Sequence, residues 1–321
     1  MAGGLALLFP GHAAAASFWQ VSPRSPEAAS IAFLFWLVMA VAALFLFGVL
    51  GSLVYIVIRF RARPGQPDPP PNYGSLRLEV WWTLIPFGLL VVVFGFMVRE
   101  MNKEIAPRPN ALEVTVVGRQ WWWEYRYPGG AVAANELHIP AGRQIRLNLQ
   151  SGDVIHNFWV PELAGKEQTI PGTTNVWTFS AERPGTYVGA CSEYCGGQHG
   201  WMRLSVIAQE PPEFDRWLAA QREPPASGVL SAHASALALY AANACGGCHT
   251  LAGVSQGKAG PDLTHVGGRS TLGAGVLRNT PENMARWLKD PQAVKPGALM
   301  PNFRLSDEQA RQMAALLMDL K

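Results

Sequence analysis

The sequence predicts a multidomain membrane protein: a two-helix transmembrane hairpin, then a β-sandwich, then an all-α domain. Three observations predict it. Hydrophobic residues make up 49% of the 321 residues and charged ones only 15%, with the apolar content concentrated in two long uncharged stretches near the start. Short alternating segments punctuated by Pro, Gly and Asn fill residues 106–208. Beyond a Pro-rich stretch, helix-start signals and 3.6-residue patterning take over. The length suits two or three domains rather than one. A net charge of +3 without a basic run argues against nucleic acid as a partner.

Residues 1–27 hint at a signal peptide, since Leu5 to Phe9 is followed by Ala13 to Ala16, but no Lys or Arg precedes the short apolar run. The transmembrane hairpin is expected within 28–105. Ala28 to Ile58 contains no charged residue, which exceeds the roughly 20 residues of a spanning helix. Val80 to Val98, between Glu79 and Arg99, spans roughly 28 Å as a helix. Spans over about 29–58 and 80–98 put both ends of the hairpin on one side. Arg59, Arg61, Arg63 and Arg77 favour a cytoplasmic connecting loop, against Arg24, Arg99, Lys103 and Arg108 at the other ends. Glu79, beside Trp81 and Trp82, reads first as an interfacial carboxylate next to an aromatic belt.

In the β domain, Leu112, Val114 and Val116 alternate with other positions, as do Ile145, Leu147 and Leu149. Val176–Phe179 and Thr186–Val188 add short strands, giving a sandwich of Greek-key type. In Gly118-Arg119-Gln120-Trp121-Trp122-Trp123, alternation cannot bury three consecutive Trp on one face. Some of them must face outward as a candidate contact surface.

One loop of this domain concentrates soft ligands: Cys191-Ser192-Glu193-Tyr194-Cys195-Gly196-Gly197-Gln198-His199-Gly200-Trp201-Met202. Two thiolates, an imidazole and a thioether suit copper better than calcium or magnesium. Two Cys in one loop suggest sulfurs bridging two coppers, with a second imidazole available at His156. A disulfide or a structural zinc site are the alternatives for such Cys and His residues.

Glu210-Pro211-Pro212 and Glu223-Pro224-Pro225 bracket a linker, 209–227, holding a docked turn or two of helix around Phe214, Trp217 and Leu218. As a fully flexible chain it would span roughly 22–26 Å. Residues 106–208 carry eight Lys/Arg and eight Asp/Glu, so no net charge steers what it tethers. Residues 228–321 contain Cys245-Gly246-Gly247-Cys248-His249, the attachment motif for haem c. A redox dithiol or half a zinc site is the alternative. Met284 and Met313 lie in helices opened by Thr280-Pro281 and by the capping box Ser306/Gln309. Met300, in a loop, is the expected sixth ligand of the iron, with His265 as a rival.

Cys-x-Glu-x-Cys-x3-His-x2-Met, with His156 upstream, resembles the binuclear copper centre of cytochrome c oxidase subunit II. Leu78-Glu79-x-x-Trp82-Thr83-x-x-Pro86 and Gly118-x-Gln120-Trp121-Trp122-Trp123 resemble two more segments of that family, with Trp122 where Tyr is common. Residues 228–321 resemble a small class I cytochrome c, including Gly260-Pro261-Asp262-Leu263. The resemblance implies a cupredoxin-like fold for 106–208 and bridging roles for Cys191 and Cys195. His156 and His199 would bind one copper each, Met202 would be a weak ligand, and so would the carbonyl of Glu193. Through the Glu193 side chain it implies magnesium or manganese at a contact with subunit I. It makes Trp121 the residue that admits electrons and Glu79 a candidate mouth of a proton path. It further implies an oxidase subunit with a covalent haem c, taking electrons from an external cytochrome or other donor. Subunit I and subunit III would be its partners, in a bacterial inner membrane with the copper and haem domains outside. A nitric-oxide-reducing complex and a non-enzymatic redox sensor or copper carrier are the rival readings.

Overall fold

Long uncharged sequences favour helices because in lipid every backbone polar group must be satisfied within the segment. The computed structural model describes residues 22–67, 70–71, 73–105 and 110–321, so the expected leader lies outside the described residues as far as residue 21. Helix α1 is Pro26–Arg59 and α2 is Leu76–Ile105. Both outrun the uncharged stretches. The 34 residues of α1 rise about 51 Å, more than the roughly 30 Å of a hydrocarbon core. Ser30 Oγ donates to Glu100 Oε2 at 2.8 Å and the Phe33 and Phe96 rings meet edge to face, so the two helices run antiparallel as a hairpin. Glu79 lies exposed in the first turn of α2. Ala29–Arg108 forms one compact unit, and Pro109–Lys321 with the residues up to Ala28 forms the other.

In the second unit, alternation produces the predicted sandwich. One sheet has the order β3-β2-β1-β5-β8 and the other β4-β10-β9-β6-β7. The strands are β1 Leu112–Arg119, β2 Trp122–Arg126, β3 Val132–Ala134, β4 Glu136–Pro140, β5 Ile145–Ser151, β6 His156–Trp159, β7 Lys166–Thr169, β8 Asn175–Phe179, β9 Gly185–Cys191 and β10 Arg203–Gln209. Leu112, Val114 and Val116 of β1 are buried, as are Ile145, Leu147 and Leu149 of β5. Within the same core they join Leu137, Ile139, Phe158, Leu204 and Val206 of the other sheet.

The linker holds a helix where the spacing of Phe214, Trp217 and Leu218 predicts one, and that helix is docked. Helix α3, Pro211–Ala220, carries Pro at its first positions and buries Phe214 against the sandwich. Trp217 stacks flat on His138 of β4, with ring centroids 4.0 Å apart, and meets Tyr127 edge to face. Arg222 then donates to Pro128 O. The segment is strapped to the sandwich.

The C-terminal residues form helices α4 Val229–Ala232, α5 Ala234–Ala242, α6 Pro281–Lys289, α7 Pro291–Val294 and α8 Asp307–Asp319. The capping box closes in both directions, with Ser306 Oγ accepting from Gln309 N and Ser306 N donating to Gln309 Oε1. Met313, Leu316, Leu317 and Leu320 are buried in a second core with Tyr240, Met284 and Leu288. This helical domain rests on the sandwich. Glu136 of β4 accepts from the backbone N–H and hydroxyl groups of Ser270 and Thr271. Trp122, which faces out of the sandwich as the alternation required, is covered by Ala274 and left 8% exposed. The aromatic patch is therefore a contact surface already occupied within the chain.

Candidate functional site

Strand β9 ends on Cys191 and β10 starts directly after Met202, and Cys191 N donates to Met202 O at 2.9 Å. The ligand-rich loop is thus pinched shut at its base. A 3-10 turn, His199–Trp201, closes its far side. His156 arrives from another part of the chain because β6 pairs with β9, Phe158 opposite Cys191.

Both thiols are free and buried, with their sulfurs 3.7 Å apart. Around Cys191 Sγ lie His156 Nδ1 at 4.0 Å and Glu193 O at 3.2 Å. Around Cys195 Sγ lie His199 Nδ1 at 3.6 Å and Met202 Sδ at 3.8 Å. Each sulfur therefore has one imidazole and one weak donor beside it. Such spacings are those of ligands sharing a metal with bonds near 2.0–2.3 Å. Six donors exceed the four of a tetrahedral zinc site, and the set divides naturally into two positions sharing both sulfurs. The donors fit a pair of coppers. The hydrogen bond between the two thiols holds the Cys191 pKa well below its usual value and raises that of Cys195. No second group of three His, Cys, Asp or Glu side chains gathers around Glu193 among the described residues.

His156 is fully buried. Asp153 Oδ1 holds its Nε2 at 2.8 Å, which leaves Nδ1 to face the sulfur, the usual way a carboxylate orients a ligating imidazole. Burial lowers the imidazole pKa, but hydrogen bonds to Cys191 and Asp153 outweigh this and leave it raised. Gly118 makes room for the ring: a Cβ there would stand 2.8 Å from His156 Cδ2.

Trp121 and Gln120 clasp the loop from the side. Trp121 Nε1 donates to Cys195 O at 3.0 Å and Gln120 Nε2 to the same oxygen at 2.7 Å. Gln120 N donates to Asp153 Oδ2, so one carboxylate ties this turn to His156. Sequence reasoning found Trp121 but missed Gln120 and Asp153 as parts of the site. The i,i+3 spacing of Asp153 and His156 was the available signal.

Trp121 and Trp122 also wall a cavity whose other side is the helical domain, with Cys245, Cys248, His249 and Met300 among its lining. Cys245–Gly247 forms a 3-10 turn and His249 N donates to Cys245 O, which sets the two thiols and the imidazole on one short bend. His249 Nδ1 donates to Pro261 O at 2.7 Å, so Nε2 is the nitrogen left for a metal. Burial lowers its pKa, favouring the neutral, ligating form. Gly260 permits this approach, since a Cβ there would lie 2.5 Å from His249 Cε1. The free thiols, the oriented imidazole and the largely apolar lining fit a covalently attached haem. Met284 and Met313 line the cavity too, but both are core residues. His265 is absent from the lining, and its Nε2 is engaged by Glu223 O.

Three family models match the chain: cytochrome c oxidase subunit II, transmembrane domain, over residues 14–98, the periplasmic domain of the same subunit over residues 131–209, and cytochrome c over residues 234–321. Cytochrome c oxidase subunit 2 of Alkalihalophilus pseudofirmus is 33% identical over 334 residues, covering 99% of this chain and 95% of that protein. The subunit 2 of Bacillus sp. (strain PS3) is 31% identical over 286 residues, covering 82% and 80%. A crystal structure of the periplasmic domain of subunit II from Bradyrhizobium japonicum is 30% identical, covering 37% of this chain and 97% of that one, with a TM-score of 0.36. The matched domains make this a membrane protein with a periplasmic domain, and copper and haem follow from the family. The chain belongs to the cytochrome c oxidase subunit II family, in the form that carries a C-terminal cytochrome c domain, and so to an oxidoreductase complex.

Proposed function

We propose that this chain receives electrons from an external cytochrome c or another donor at a haem c, and delivers them through two coppers to subunit I. There oxygen would be reduced, coupled to proton pumping. Haem c and the copper pair supply one-electron redox chemistry when bound. Cys245, Cys248, His249 and Met300 would hold the haem. Cys191, Cys195, His156, His199, Met202 and the Glu193 carbonyl would hold the coppers, and Glu193 would extend toward a magnesium or manganese ion at subunit I. Glu79 would sit at the cytoplasmic mouth of a proton path, and subunit III would complete the assembly in the inner membrane.

The observation that carries this reading is the position of Trp121. Trp121 lines the cavity that would hold the haem, and its indole hydrogen-bonds the carbonyl of a candidate copper ligand, so one residue touches both sites. The copper-carrier alternative would need a labile, accessible site, whereas Cys191 and Cys195 are 5% and 3% exposed. The test is metal and haem analysis of the purified complex with electron paramagnetic resonance. Two coppers and one haem c per chain, with the copper signal following reduction of the haem, are expected. One copper, or zinc, in the sulfur site would overturn the reading.

A further inference from the structure

Lys295 has the least expected environment in the molecule. It is 4% exposed, and no carboxylate pairs with its side chain among the described residues. Its Nζ instead donates to three carbonyl oxygens at 3.1 Å each: Trp121 O, Trp201 O and Gly273 O. An ammonium has three N–H donors, and here all three are used. Two of the acceptors belong to the sandwich and flank its candidate copper site. Trp121 hydrogen-bonds Cys195 O, and Trp201 lies between His199 and Met202. The third belongs to the helical domain.

The backbone of Lys295 is committed to the other site. Its carbonyl accepts from Ala298 N, opening the turn that leads to Met300. Gln292 fastens that turn by donating to Ala298 O and Met300 O and accepting from Gly297 N. One residue thus joins the Met300 loop to the copper loop. A charge buried for stability alone is a poor choice, because an apolar residue of similar size usually serves as well or better. Three convergent carbonyls instead specify a position. A single tie would leave a swivel. Glu136, receiving Ser270 and Thr271, supplies a second attachment point.

We propose that Lys295 is the positioning residue for transfer between the two centres. With Glu136 as the second tie, it holds the helical domain in one docked pose, so that electrons cross without domain motion. This rests on the function proposed above.

The test is flash photolysis of the intact complex, reducing the haem and following the copper signal at several solvent viscosities. A hydrogen bond from a charged donor is worth about a factor of ten or more in an equilibrium. Wild-type transfer should be single-phase and independent of viscosity. In Lys295→Met it should fall about tenfold or more and become viscosity-dependent, with copper content, haem content and both midpoint potentials unchanged. Lys295→Arg, which keeps charge and donors, should recover most of the rate. A wild-type-like Lys295→Met, or a slowing explained entirely by shifted potentials, overturns the proposal. Should Lys295→Met lose copper, Glu136→Gln carries the same expectation, and an unaffected rate there overturns it. Amide exchange at Ser270 and Thr271 reads the latch without electron transfer: Lys295→Met should speed it, and unchanged exchange counts against the latch. Absence of any transfer in the loaded wild type would instead sink the function reading.

Discussion

The indole N–H of Trp121 donates to the carbonyl oxygen of Cys195 at 3.0 Å, and the same residue lines the cavity shared with Cys245, Cys248 and His249. Trp121→Ala should therefore slow haem-to-copper transfer by roughly one to two orders of magnitude, the scale of losses from misplaced reacting groups. Trp121→Phe keeps a ring without the N–H and should fall between. Flash photolysis would measure both, and a normal rate in Trp121→Ala removes the residue from the path.

Asp153 orients His156 from behind while it holds the backbone N–H of Gln120. Replacing such a carboxylate commonly weakens metal binding about 10–100-fold. Asp153→Asn is expected to lose copper to a competing chelator by that factor, with the fold intact by circular dichroism.

Met300 lines the cavity from a loop, whereas Met284 and Met313 are anchored in the core. Met300→Ala should abolish the absorption signature of an axial thioether while Cys245 and Cys248 keep the haem attached, and Met300→His should lower the midpoint potential. Met284→Leu should leave the signature in place. The opposite pattern would move the ligand to α6.

His138 under Trp217 makes α3 docking sensitive to acid. Burial holds its pKa below the ordinary 6.5, despite Gln209 and Glu136 acting the other way. The folded state then binds fewer protons than the unfolded one between that lowered value and 6.5. Stability is full above 6.5 and declines as pH falls through the window. Amide exchange in Pro211–Ala220 should quicken from pH 7 to pH 5 in the wild type and change less in His138→Phe. Phe214→Ala should cost about 3–5 kcal/mol, read as a drop in the midpoint of denaturant unfolding.

Salt should matter little to transfer. The ties between the domains are hydrogen bonds from a buried ammonium and to a buried carboxylate, and screening acts chiefly on exposed charges. A many-fold fall in rate between low and high ionic strength would show that docking is electrostatic.

Much of the candidate site was legible because its candidate ligands are local. Cys191, Cys195, His199 and Met202 fall within twelve residues, and Cys245, Cys248 and His249 within five. Period-two logic also required some of the three tryptophans to face outward, yet could not show that Ala274 covers Trp122. Residues whose work is done across the chain were invisible. Lys295 stands only five positions before Met300, but its acceptors at Trp121, Trp201 and Gly273 are distant in sequence. The docking surface of the linker helix was hidden for the same reason. Phe214 and Trp217 showed helical spacing, but the surface that receives them, around Tyr127 and His138, comes from strands folded much earlier in the chain.

The residues that lead into α1, and its first turn, are stitched into the sandwich. Arg24 N donates to Glu162 O and accepts at its own carbonyl from Glu182 N, Ser25 Oγ donates to Leu163 O, and Glu27 accepts from Gln144 and Ser180. Ser25 and Leu163 are separated by 138 positions. At about 5–20 residues per second, a ribosome needs roughly 7–28 s to make that stretch. For that interval a newly made chain would hold polar groups in waiting, with the apolar helix already emerging behind them. Biogenesis of this protein would then include a late step, in which this early-made turn is captured by loops of the sandwich made after it.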